Sequence, residues 1–161
     1  MTREQFIMHV EGTQKAFRRF LVALCSGDTQ SADDIAQEAY IKAYLSCDSF
    51  SNPDKFNAWI FRIGYTTFIS YRRNLRVFSD YEEVRQMPTG EYSDSNFKYQ
   101  DLYMALKQLS DKERTSVLLY YMEGYPIKEI AEIEDASQEV VKQHLSRGRK
   151  HLRSLLSPKQ I

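Results

Sequence analysis

Apolar residues in this chain recur at spacings of three and four, and no stretch longer than four residues alternates between apolar and polar. A period near 3.6 lines up one face of an α-helix, whereas a strand needs a period of two, so the pattern restricts the chain to an all-α fold. Phe6, Val10, Phe17, Leu21 and Leu24 mark a first helix over residues 3–25, ended by Gly27. Ser31 with Asp34 resembles a capping box and opens a second helix, carried by Ile35, Ala39, Ile41 and Tyr44 as far as Ser46. Asn52 as N-cap and Pro53 in the first turn open a third, through Arg73.

The periodicity stops between Phe78 and Asn96, where Pro88, Gly90 and several Ser and Asp residues gather. That gap predicts two small helical domains, 1–77 and 98–161, joined by a flexible linker over 78–97. Helical spacing resumes at Leu102, Leu106 and Leu109, and Ser110 with Glu113 forms a full capping box ahead of Val117, Leu118 and Tyr121. Gly124 ends that helix, and Pro126 opens a short one through Ile127, Ile130 and Ala131 to Ile133. After Glu134, Asp135 and Ala136, Ser137 caps a last helix that buries Val141, Leu145, Gly148, Leu152 and Leu156.

A short helix, a tight turn and a longer helix make a helix-turn-helix, whose second helix enters the major groove of duplex DNA. Off its buried stripe lie Gln138, Lys142, Gln143, Ser146, Arg147 and Lys150, which can donate to phosphates and base edges. Charge bears on this. The chain has 22 basic and 22 acidic residues, so net charge predicts no nucleic-acid partner. The charge is sorted, however: residues 79–111 hold three basic and seven acidic side chains, while Lys142, Arg147, Arg149, Lys150 and Arg153 fall in one segment without an acid. Local fields, rather than net charge, steer phosphate.

Two further stretches admit two readings each. In the third helix Phe56, Trp59, Ile60, Ile63 and Thr67 form the core stripe, yet Phe61, Tyr65 and Phe68 form a second aromatic stripe with Arg62, Arg72, Arg73 and Arg76 nearby. Rings interleaved with arginines suit unpaired bases, and they equally suit a core. The second helix begins with Asp33, Asp34 and Glu38, with Gln37 and Lys42 on its exposed side; acids there stabilise the helix dipole or mark a contact face. Cys25, Cys47, His9, His144 and His151 form no ligand set, no glycine-rich loop cradles phosphate, and no Ser/His/Asp order suggests a nucleophile. These residues predict no enzyme, no metal or other cofactor and no small-molecule substrate. No apolar run is long enough to span a bilayer and Met1 to Val10 has no signal-peptide core, so the chain is expected in the cytoplasm.

The run Ala32 to Tyr44, then Phe56 to Ile63, then Glu129-Ile130-Ala131 and Leu145 to Arg153, resembles the extracytoplasmic-function group of bacterial RNA polymerase sigma factors over nearly the whole chain. The resemblance implies a protein that brings core polymerase to a class of promoters and helps to melt them. It implies polymerase contacts at Asp34, Gln37, Glu38 and Ile41, capture of the minus-10 element by the third helix with Arg62, Tyr65, Thr66, Phe68, Ser70 and Arg73, and reading of the minus-35 duplex by the last helix. The implied partners are polymerase core, promoter DNA and an anti-sigma factor. The alternative is a helix-turn-helix regulator acting without polymerase. Three departures from the family pattern stand out: Thr66 and Ser70 replace the usual Asn and Asp, Glu139-Val140 replaces Gly-Thr, and Gly148 replaces an alanine at an expected cost of about 1 kcal/mol in helix propensity.

Overall fold

The computed structural model describes residues 1–79 and 100–156, and among these the elements are helical, with no strand. Helix α1 spans Arg3–Leu24 and starts from a capping box, in which the Thr2 hydroxyl accepts from the Gln5 N–H and the Gln5 side-chain Oε1 accepts from the Thr2 N–H. It stops where Ser26 and Gly27 take positive φ. Helix α2 spans Thr29–Ser46. Its cap corrects the expectation at Ser31: Asp28 is the N-cap and accepts both the Ser31 N–H and the Ser31 hydroxyl, because the chain turns at Gly27 and leaves Asp28 as the last extended residue. The face of α2 turned to α1 and α3 is Ala32, Ile35, Ala39 and Ala43, small residues that let three helices approach closely.

Asn52 caps a 3₁₀ turn, Pro53–Lys55, that leads into helix α3, Phe56–Ser79. The helix runs past Arg73, so Phe78 and Ser79 of the expected linker are helical; the remainder of that linker lies outside the described residues. Four helices follow as expected. Helix α4 is Gln100–Gln108; α5 is Asp111–Val117, entered through the Ser110–Glu113 capping box and widening into a π turn, Leu118–Met122. Gly124 turns the chain at positive φ. Helix α6 is Ile127–Glu134 and α7 is Gln138–Leu156, with Asp135 left-handed between them and the Ser137 hydroxyl accepting from the Val140 N–H. Leu102 and Leu156, assigned to the core from spacing, are exposed, since each lies at the open end of its helix.

The two helical units share one continuous apolar core rather than two. The end of α1 explains how. Phe20, Leu21, Val22, Ala23 and Leu24 are all buried, because α2 and α3 cover one side of the helix and the C-terminal helices cover the other. Arg114 closes this junction. Its buried guanidinium donates to the carbonyls of Leu24 at 2.8 Å, Leu106 at 2.7 Å and Leu109 at 3.0 Å, capping the C-termini of α1 and α4 together. Gly148 sits against α5, where a Cβ would meet the Val117 Cγ2 at 2.6 Å. The glycine is therefore a close-approach residue, which corrects its reading as a mere propensity cost. No described helix is long and apolar enough to cross a membrane.

Candidate nucleic-acid interface

Helix α7 presents Val141, Leu145 and Gly148 to the core. Helical geometry then fixes the opposite side, where Gln143, Ser146, Arg147 and Lys150 lie with Lys142 at its edge; all are exposed, as is Gln138, which shares the register of the buried stripe but sits at the open first turn. Arg147 and Lys150 pair with no acid among the described residues, whereas the Lys142 ammonium is 3.5 Å from Glu139. Ala131 is buried where α6 crosses toward α7, as the helix-turn-helix requires. Five of these donors thus form one exposed face on a helix whose orientation is set by packing, with Gln138 exposed at its start.

Beneath that helix lies a polar cluster that sequence reading missed. The Ser116 hydroxyl is 2.9 Å from both carboxylate oxygens of Glu134 and 3.4 Å from the His144 Nδ1. Burial pushes the Glu134 carboxyl up to about 7, although Ser116 and Lys112 oppose the shift, and burial pushes His144 down. Spacing carries little signal for such a cluster, because its three members sit on three helices.

On α2, Asp34, Gln37, Glu38 and Ile41 are exposed and fall on one line. Leu45, at 76% exposure, continues that line by one turn and was missed. The i, i+3, i+4, i+7 rule extended once more would have found it. Glu38 pairs with Lys42 at 3.4 Å, an ordinary surface pair.

Helix α3 has three faces. Phe56, Ile60, Gly64 and Thr67 pack into the N-terminal helices; a Cβ on Gly64 would meet the Phe17 ring at 2.5 Å. Thr66, Ser70 and Arg73 are exposed in one row, with Arg62 and Trp59 half-buried at its start. The third face is the aromatic stripe, for which spacing allowed both a core and a stacking surface. Phe61, Tyr65 and Phe68 are buried against the C-terminal helices, with Phe61 edge-on to Tyr125 and burial beside Glu134 and Asp111 raising the Tyr65 hydroxyl to about 12. In this docked arrangement Tyr65 and Phe68 hold the two units together. The composition that suits stacking, aromatic with arginine, also suits an interface between units.

Charge sorts across that interface. The Arg19 guanidinium grips Glu123 with two bonds, 3.1 and 2.8 Å, on a carboxylate only 4% exposed. Arg62 donates to the Glu132 carbonyl at 2.6 Å, Lys55 lies 3.8 Å from the Glu132 carboxylate, and Arg72 lies 3.4 Å from Asp111. In each of these pairs the cation belongs to the N-terminal helices and the acceptor to the C-terminal ones.

Comparison with known proteins gives two family matches, sigma-70 region 2 over residues 10–77 and sigma-70 region 4 over residues 99–152. The chain is 32% identical over 145 residues to the ECF RNA polymerase sigma factor SigW of Bacillus subtilis, covering 81% of this chain and 78% of that protein. It is 30% identical over 131 residues to the RNA polymerase sigma factor SigV of the same organism, covering 80% and 77%. Among solved structures, it is similar to the sigma factor RpoE in complex with the anti-sigma factor NepR from Bartonella quintana, with a TM-score of 0.79 and 28% identity over 96% of this chain and 98% of that one.

Proposed function

This chain belongs to the extracytoplasmic-function sigma factors, proteins that direct RNA polymerase core to promoters and initiate transcription, and on that premise we propose how its surfaces divide the work. The carrying observation is the row of exposed donors Lys142, Gln143, Ser146, Arg147 and Lys150 on α7, opposite a fully packed stripe, in a chain whose first three helices match region 2. Helix α7 reads the minus-35 duplex through Gln138, Lys142, Gln143, Ser146, Arg147 and Lys150. The line Asp34, Gln37, Glu38 and Ile41 on α2, extended by Leu45, docks on polymerase core. The exposed row Thr66, Ser70 and Arg73 on α3, with half-buried Arg62 at its start, meets the minus-10 element. Residues 1–77 and 98–161 act as the two promoter-binding domains. The chain works in the cytoplasm, where its polymerase is, and is not itself a catalyst. A regulator that bound DNA without polymerase would have no use for the region 2 helices, which disfavours that alternative.

The two elements lie on the order of 25 base pairs, or about 85 Å, apart along B-form DNA. A docked chain of this length is only about 40 Å across. The units therefore separate on core before both elements are bound, and the docked arrangement is the resting form. Its likeness to a sigma factor bound by an anti-sigma factor supports an anti-sigma partner that holds this form.

The test is transcription from mapped promoters by core polymerase with and without the chain. Arg147→Ala is expected to lower output by roughly 5- to 100-fold and to relax sequence preference in the upstream element, and Lys142→Ala to weaken all sequences alike. If neither variant changes minus-35 binding, α7 is not the reading helix.

A further inference from the structure

Glu139 breaks the charge pattern of α7. It is the one acid on a face otherwise made of donors, and it occupies the middle of that face, bracketed around the helix by Lys142 and Gln143 and followed two turns later by Ser146. Its carboxylate is 80% exposed and touches Lys142 at 3.5 Å. Val141, Leu145 and Gly148 hold the opposite side against the core, so Glu139 cannot turn away from whatever the donors meet.

A carboxylate facing DNA is repelled by phosphate and gains only from a donor on a base edge. In the major groove the donors are the amino groups of cytosine and adenine. Adenine sets its amino group beside the N7 acceptor, which would oppose the second carboxylate oxygen, while cytosine presents its N4 amino group next to a C–H. Stabilisation of the helix N-terminus accounts for an acid in the first turn. It does not require one at the centre of the reading face, and the Ser137 hydroxyl already caps this terminus.

We infer that Glu139 is a specificity-determining residue of this sigma factor, accepting the N4 amino group of a cytosine at one position of the minus-35 element. The inference rests on the assignment of α7 to that duplex. It goes further by naming the base that an acidic side chain demands.

The test is a promoter library randomised across the minus-35 element, transcribed by core polymerase with the full-length chain and read by sequencing. The parent should favour cytosine at one position by about tenfold or more. Glu139→Ala should flatten that position and leave the others unchanged, and Glu139→Gln should move its preference toward adenine, the partner of an amide side chain. An unchanged cytosine preference in Glu139→Ala overturns the inference. So does a uniform gain in output across the library without any change of preference, which would mark Glu139 as a solvated acid that merely repels phosphate. A parent with no preference anywhere in the element overturns the assignment of α7 itself, and this inference with it.

Discussion

Glu134 keeps a carboxyl where almost no water reaches, flanked by Ser116, His144, Lys112 and, from α3, Tyr65. Its folded value of about 7 stands above the ordinary 4.5, so between those limits the folded chain holds a proton that the unfolded chain has released. Stability contributed by this group is present below about pH 4.5 and is lost as pH rises to 7, by up to about 3 kcal/mol. Glu134→Gln keeps an acceptor for Ser116 and removes the titration. We expect it to melt well above the parent at pH 8 and close to it at pH 5, by calorimetry; an equal difference at both pH values would contradict this account. His144, lowered by burial, titrates in the opposite sense and is retained in both proteins. Gly148 gives a second residue-scale prediction. Gly148→Ala improves helix propensity but drives a methyl into Val117, and overpacking should win, for a net loss of about 1–2 kcal/mol. Adding Val117→Ala should make the alanine tolerable, a non-additivity measurable by denaturant titration.

Among the elements, the bounds of α1, α6 and α7 and the start of α5 were legible almost to the residue, because Gly27, Ser110, Gly124, Pro126 and Ser137 punctuate a clear 3.6 period. The face of α7 was legible too, since a strongly amphipathic helix announces its buried side. What the sequence left open was α3, where a helix carries apolar residues on two faces and spacing cannot say what covers the second. The same holds for the end of α1, five apolar residues in a row, which is what a helix buried on all sides looks like. The cover over Phe68 makes a prediction at this scale. Phe68→Ala should cost about 3–5 kcal/mol of thermal stability, the cost of an emptied core position, and a variant as stable as the parent would return that ring to the surface. On α2 the exposed line predicts the reverse. Glu38→Lys should leave circular dichroism and melting almost unchanged, losing only a surface pair, while weakening core polymerase binding in a titration; undiminished affinity would remove Glu38 from the contact.

At the scale of the molecule, the docked arrangement rests on apolar burial between α3 and the C-terminal helices, on Arg114, and on pairs that place cations on one unit and acceptors on the other. Exposed pairs are screened by salt, but Glu123 is nearly buried, and reversing its charge sets like charges together where water is scarce. Glu123→Arg should therefore open the free chain, seen as a larger radius of gyration in solution scattering, and Arg19→Glu added to it should close the chain again. A radius unmoved by the single change would show that this pair does not hold the units together.

The Arg19–Glu123 pair also bears on competition for polymerase. Several sigma factors drawing on one limited supply of core enzyme are ranked by apparent affinity, and a factor that must open first has that affinity reduced by the fraction of its molecules already open. Every 1.4 kcal/mol of docking lowers the rank tenfold. A chain with a loosened pair would therefore displace its rivals with no change in any residue that touches polymerase, and the strength of a contact between the chain's own two halves becomes a dial on how large a share of the cell's transcription it commands.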